Sequence, residues 1–159
     1  MVCAIGLYEV GLTIHILAVV LAFGVLFAYP IIDAQIRRAA PEALPGLHRL
    51  HLELATRLIT PAMTVVLIAG LYLVADGPYA LKDAWVGATF AILIVLFGLA
   101  GAVLIPTDRR LAELAERDLK AGGSPSADYE RELRRSAAFG GLVVLLVVVA
   151  IFLMTAKPG

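Results

Sequence analysis

The sequence is poor in the residue types that soluble enzymes and nucleic-acid-binding proteins use for their sites. Only one of its 159 residues is cysteine, three are histidine, and 16% are charged. A soluble domain carries about 25% charged residues. The lone Cys3 excludes an internal disulfide and a cysteine metal cluster. The formal net charge is zero, so the chain has no overall basic field for nucleic acid.

Motifs of common catalytic sites are missing as well. No glycine-rich phosphate loop follows a strand pattern, and no nucleophile stands at motif spacing from a base. No pair of carboxylates falls within apolar sequence, so we expect no buried acid pair. Whether the chain is an enzyme is therefore left open.

The chain is rich in long apolar runs, which make it 61% hydrophobic. A helix needs about 20 apolar residues to cross a bilayer, and within lipid every backbone polar group must bond inside its own segment. We predict a single all-α transmembrane domain over 1–159, an integral membrane four-helix bundle. Its spans cover about 7–29, 58–75, 84–105 and 137–155, and its long loops are 30–57 and 106–136.

The N-terminus has neither a basic n-region nor a cleavage site after a short apolar core. We therefore expect it to lead into a retained span and not to be a signal peptide.

Basic residues are concentrated in the two long loops. Of the 13 basic residues, the two loops hold Arg37, Arg38, Arg49, Arg57, Arg109, Arg110, Arg117, Lys120, Arg131, Arg134 and Arg135. Cytoplasmic loops carry the excess of arginine and lysine. The distribution predicts a bacterial inner-membrane protein with both loops in the cytoplasm and both termini outside.

Local signals refine the loops. The second helix is expected to begin near Pro45 and to loosen at Pro61, since proline lacks a backbone N–H. Glu53 is spaced to form i,i+4 ion pairs with Arg49 and Arg57. Ser124 is expected to cap the fourth helix.

An internal repeat links the two halves of the chain. A shift of 76 residues places Glu9–Pro30 on Trp85–Pro106, with seven identical pairs that include Gly11 with Gly87 and Pro30 with Pro106. An aspartate and two arginines follow each proline. The bundle is therefore predicted to consist of two parallel two-helix hairpin repeats, related by an axis along the membrane normal.

His15 breaks this symmetry, since its partner in the repeat is Ala91. It lies roughly 21 Å along the helix from Tyr29, near the midplane and in the outer half of the membrane. An ionisable residue there suggests a functional site. The imidazole could ligate a metal or haem iron. Alternatively, it is a packing element bonded to Thr89 or to a backbone carbonyl.

Small residues share the His15 face of the helix. Gly11 and Ala22 lie at i−4 and i+7, where they permit close helix approach or leave room for a flat ligand. The other two histidines, His48 and His51, are one turn apart and could form a two-ligand metal site. Their place in a basic loop favours solvated surface side chains instead.

The first half of the chain resembles a known family. His15-Ile16, Leu26-Phe27 and Pro30 are similar to the first-helix pattern of HemJ-type protoporphyrinogen oxidases, and Thr60-Pro61-Ala62-Met63 to their second-helix signature. Trp85 resembles the entry to their third helix. The departures are Thr89, where that family has an essential lysine, and Ala22, where it has a tryptophan.

The whole chain resembles a related family of small bacterial predicted integral membrane proteins of unknown function. That family is similar both to the HemJ type and to the copper-resistance D type. The resemblance implies haem b with His15 as axial ligand and Thr89, Gly11 and Ala22 around it. It implies a redox-associated role and leaves open a homo-oligomer or a membrane redox partner. The alternative is a non-catalytic accessory or structural membrane protein without cofactor.

Overall fold

Four long helices make up the structure, a computed structural model that describes residues 6–122 and 124–158. They are α1 (Leu7–Ala39), α2 (Pro41–Asp76), α3 (Ala84–Lys120) and α4 (Ala127–Ala156), and each is long and apolar enough to cross a membrane. The described residues contain no strand. The predicted all-α integral membrane bundle is thus confirmed. Cys3 and the expected N-terminal lead-in fall in 1–5, outside the described residues.

Three of the helices change their winding along their length. The segments of α1 are Leu7–Phe23, the 3₁₀ turn Gly24–Phe27 and Tyr29–Ala39. Those of α2 are the 3₁₀ turn Pro41–Ala43, Leu44–Leu54, the π-helical Ala55–Ile59 and Thr60–Asp76. Those of α3 are Ala84–Leu99, the π-helical Ala100–Leu104 and Ile105–Lys120. One change in each helix, at Gly24–Phe27, Ala55–Ile59 and Ala100–Leu104, occurs where its apolar half meets its polar extension.

The loosening expected at Pro61 takes the form of the π-helical segment just before it. Proline has no N–H to donate, and its ring would clash with the preceding turn. A π-segment widens the turn, and the Thr60 hydroxyl donates to the Ala55 carbonyl over 2.7 Å, which satisfies an acceptor there. Pro106 follows the second π-segment in the same way.

In the apolar half, α1 packs mainly on α2 and α3 mainly on α4. Small buried residues such as Ala18, Ala22 and Ala62 allow close approach of α1 and α2. All four helices contribute to one core, which includes Met63, Leu96 and Val147 at 2–3% exposure. The aliphatic side chains that remain exposed, such as Leu17, Ile68 and Ile94, face the lipid bilayer, as expected for a membrane protein.

Beyond the apolar half the helices continue as a polar bundle, which we call the basic end. It consists of Tyr29–Ala39, Leu44–Leu54, Ile105–Lys120 and the first turns of α4. Here the helix pairing changes, since Leu44–Leu54 of α2 packs on Ile105–Lys120 of α3. A second core fills this end, formed by Leu44, Leu47, Leu111, Ala115 and Tyr129. The opposite end, around the 77–83 connection, we call the short-loop end.

Charges at the basic end tie different helices together. Arg37 bonds Glu130, and Arg49 bonds Glu116. The predicted pair of Arg49 with Glu53 is therefore wrong, because Glu116 on the packed neighbour competes for the guanidinium. The pair of Arg57 with Glu53 is confirmed at 2.8 Å.

The cap of α4 is not Ser124 as predicted but Ser126, whose hydroxyl accepts from the Tyr129 N–H. The Asp118 carboxylate accepts from the Ser126 N–H over 2.7 Å and so fixes the start of the helix two residues later. The equivalence of the two hairpins as structural repeats stays a prediction.

The transmembrane topology can be tested with reporter fusions. A reporter fused after Lys157 should lie in the compartment opposite to a reporter inserted after Ser124, because α4 carries the chain across the bilayer between them. An alkaline phosphatase and green fluorescent protein pair distinguishes periplasm from cytoplasm. The same compartment for both positions would contradict four spans.

Candidate functional site

A cavity of about 260 Å³ lies between the two helix pairs in the apolar half, towards the short-loop end. Its walls are almost entirely apolar and include Leu12, Val19, Val66, Leu93 and Val147. His15 and Thr89 both line it, one from each pair. The two residues that were expected to face one site therefore face the same cavity.

His15 is held by the backbone of α2. Its Nδ1 lies 3.1 Å from the Val66 carbonyl oxygen. A carbonyl only accepts, so Nδ1 carries the proton and donates, and Nε2 keeps the lone pair. Gly70 lies beside the ring, and a Cβ there would sit 3.4 Å from His15 Cε1. The imidazole is thus fixed in one tautomer, as a partly exposed wall of the cavity.

Of the three other residues expected around His15, only Thr89 lines the cavity. The Thr89 hydroxyl donates to the Trp85 carbonyl in its own helix over 2.8 Å. Gly11 and Ala22 are buried and do not line the cavity. A Cβ on Gly11 would lie 2.6 Å from the Tyr72 ring, so this glycine permits the close approach of α1 to α2.

A cation closes the short-loop end of the cavity. Lys157 lines it together with Tyr79 and Trp85. Its ammonium lies 4.5 Å from the centre of the Tyr79 ring and 6.0 Å from that of Trp85, and it bonds the Tyr79 hydroxyl. The negative faces of the rings stabilise this charge.

A cluster of histidine, aspartate and tyrosine side chains lies at the basic end. His48 and His51 are buried at 1% and 4% exposure, so the expectation of solvated surface histidines is wrong. Their face of α2 packs on α3 and α4. The His51 ring stacks on Tyr29 at 4.0 Å between centroids. Burial lowers the pKa of both imidazoles to about 4, so both are neutral at pH 7.

Tyr129 fixes the orientation of His48. Its buried phenol oxygen lies 2.8 Å from His48 Nε2. Tyr129 comes from α4 and is 1% exposed, so the contact joins α4 to α2 inside the second core. His48 Nδ1, on the other side of the ring, has no partner among the described residues.

Two aspartates from different helices complete the cluster. Asp33 Oδ1 lies 3.5 Å from His51 Nε2. Burial raises the pKa of Asp33 to about 6, against the lowering influence of Arg37. Burial and the nearby Asp33 charge raise the pKa of Asp108 to about 7. Both carboxyls are half-buried, and the expectation of no buried acid pair stays a prediction.

This cluster could not be predicted from local sequence, since its members are up to 100 residues apart (Tyr29 and Tyr129). One sequence signal does point to it. Asp33 and Asp108 occupy similar places in the internal repeat, just after Pro30 and Pro106.

Residues 10–158 match the model of a family described as predicted integral membrane protein, DUF2269. The chain belongs to this family. The prediction of a small integral membrane protein of such a family is thus confirmed, while the likeness to HemJ-type and copper-resistance D-type proteins stays a prediction. No curated protein and no solved structure matches the chain.

The role of Gly11 is testable through stability. Gly11→Leu should lower the thermal unfolding temperature in detergent, because the new side chain collides with Tyr72 and separates α1 from α2. Gly98→Leu is the matched control, since nothing lies within 4 Å of a Cβ at that position. Equal unfolding temperatures for both variants would show that α1 and α2 are not closely packed at Gly11.

The buried contact of Tyr129 gives a second stability prediction. Tyr129→Phe should lower the free energy of unfolding by about 1–3 kcal/mol, since it leaves His48 Nε2 buried without a partner. Tyr72→Phe removes an exposed hydroxyl that bonds Asp76 and should have a much smaller effect. Thermal unfolding followed by circular dichroism compares the two, and a larger loss for Tyr72→Phe would contradict the buried contact.

Proposed function

We propose that this four-span membrane protein binds haem b in the cavity between its helix pairs, with His15 as the axial ligand. The observation that carries the proposal is the contact of His15 Nδ1 with the Val66 carbonyl oxygen at 3.1 Å. Metal-ligating histidines usually give their second ring N–H to a carbonyl or carboxylate, which orients the ring and raises its basicity. The Val66 carbonyl has this role at His15, and Nε2 is then available to iron.

The cavity has the chemistry that a haem needs. Its walls are apolar, with the aromatic rings of Phe23 and Phe90 among them, which suits a flat macrocycle. Lys157 at the short-loop end could pair with a propionate carboxylate. The volume of about 260 Å³ lies just below the roughly 300–1,000 Å³ of ligand pockets. Haem is larger than this cavity, so the two helix pairs would have to move apart to admit the ring.

Thr89 distinguishes this site from one with two strong axial ligands. Its hydroxyl is engaged with the Trp85 carbonyl, and threonine is neither a strong iron ligand nor a cation. The position opposite His15 would therefore be empty or occupied by water. Haem iron would supply one-electron or gas-binding chemistry there, and a membrane redox partner would exchange electrons with it.

We further propose an orientation for the protein in its membrane. The basic end lies in the cytoplasm of a bacterium and the His15 cavity lies in the outer half of its inner membrane. The distribution of arginine and lysine between the loops supports this orientation.

Haem binding is tested on protein purified in detergent from cells supplied with a haem precursor. Wild-type protein should show a Soret band, with high-spin iron that binds added imidazole. His15→Ala should lose the band, because it removes the ligand. His48→Ala and His51→Ala should keep it, because both lie in the other cluster. Thr89→Lys should shift the spectrum, since position 89 faces the same cavity.

Colourless wild-type protein that is as stable with alanine at position 15 would overturn the proposal. The accessory-protein interpretation would then hold. A Soret band that survives His15→Ala would place haem elsewhere and would equally contradict the role of His15.

A further inference from the structure

We propose that His48, His51 and Asp108, with Asp33 beside them, form a binding site for one divalent first-row transition metal ion at the basic end. The site is separate from the His15 cavity, with which it shares no residue. It does not depend on haem binding.

The donor atoms already lie close together. His48, His51 and Asp108 each present one ligand atom, and these atoms lie within 4.8 Å of one another. Donors of a tetrahedral zinc ion at about 2.0 Å are roughly 3.3 Å apart. Small side-chain rotations therefore bring the three donors to bonding distance. The two histidines are on one face of α2 because they are three residues apart.

Unsatisfied polar atoms point to an occupant. Within 6–122 and 124–158, three buried side-chain atoms have no hydrogen-bond partner, and they are Tyr29 Oη, Asp33 Oδ1 and His48 Nδ1. All three belong to this cluster, since Tyr29 stacks on His51 and Asp33 contacts His51. Buried polar groups in native proteins are normally paired. A cation bound by the three donors satisfies His48 Nδ1, and its charge stabilises the Asp33 carboxylate beside His51.

His48 has a hydrogen-bond partner on its second ring nitrogen, as metal-ligating histidines usually do. When Nδ1 ligates, Nε2 carries the proton and donates to the Tyr129 oxygen over 2.8 Å. This bond holds the ring with its lone pair towards the cluster. Tyr129 is thus a positioning residue and not a ligand.

The donor set selects the class of ion. Imidazole suits zinc, iron, copper and nickel, whereas magnesium and calcium prefer oxygen donors alone. No thiolate is present in the cluster to favour copper(I). Two neutral imidazoles with one or two carboxylates suit a divalent ion such as Zn²⁺ or Fe²⁺, for which Co²⁺ can stand in, and the carboxylates offset the charge of the ion.

Cobalt(II) is a suitable probe, because its visible d–d absorption reports coordination number and ligand type. Protein purified in detergent and stripped with a chelator is titrated with Co²⁺. One equivalent should bind with a tetrahedral or five-coordinate spectrum, and Zn²⁺ should displace it. Zn²⁺ should also raise the thermal unfolding temperature, since it binds the folded chain.

Asp108→Asn preserves shape and removes the carboxylate, so it should weaken Zn²⁺ binding by at least about tenfold and alter the cobalt spectrum. Glu113→Gln is the matched control on the same helix, with its side chain exposed, and should bind as wild type does. His51→Gln should behave as Asp108→Asn does. Tyr129→Phe should weaken binding by about 10–100-fold with an unchanged ligand spectrum, the expected result for a positioning residue.

His15→Ala separates this proposal from haem binding. It should remove haem and leave Co²⁺ binding intact, while Asp108→Asn should do the reverse. Wild-type protein that shows no d–d band and no stabilisation by Zn²⁺ would overturn the metal site. Undiminished Zn²⁺ affinity in Asp108→Asn, with a native circular dichroism spectrum, would overturn it as well.

Discussion

The absence of hydrogen-bonding partners in lipid is the constraint on which this structure depends. A peptide group in hydrocarbon must bond within its own helix, so each apolar run forms one uninterrupted rod. These rods do not end at the membrane boundary, because amphipathic sequence continues the same helices by several turns. The result is a molecule with two differently packed halves on one set of four helices. Apolar side chains and small residues join the helices in one half, whereas a second core and polar contacts between helices join them in the other.

The fold could be predicted almost entirely from the sequence, because hydropathy and helix length are local properties. The four runs that begin near 7, 58, 84 and 137 all lie within the long helices of the structure. Prediction was poorer where a residue distant in sequence competes with a local ion pair or a local helix cap. Arg49 is spaced to pair with Glu53 but bonds Glu116, and Ser124 precedes a helix whose cap Asp118 places at Ser126. Both errors arise from a carboxylate on α3 that only tertiary packing brings near.

The two candidate sites differ in how well they could be predicted from the sequence. His15 stands out because an ionisable residue is rare in an apolar run. Thr89, named from the family resemblance, shares its cavity, whereas Gly11 and Ala22, named from helix spacing, do not line it. His48 and His51 were misjudged for the opposite reason, since charged sequence around them suggests solvent exposure. Their burial comes from the second core, where Leu44, Leu47 and Tyr129 remove one face of α2 from water. Asp33 and Asp108 lie 75 positions apart in the chain and meet only because α1 and α3 enter the same polar bundle.

The exchange of helix partners between the two halves has a mechanical consequence. In the apolar half α1 is paired with α2 and α3 with α4, whereas at the basic end α2 is clasped to α3. The packing of α2 on α3 therefore joins the two pairs at the basic end. The 77–83 connection joins the two pairs again at the short-loop end, where Lys157 also bonds Tyr79. Any widening of the space between the pairs must therefore be greatest between the two joined ends, where the His15 cavity lies. The π-helical segments of α2 and α3 lie between the two halves, at the level where the helices change partners.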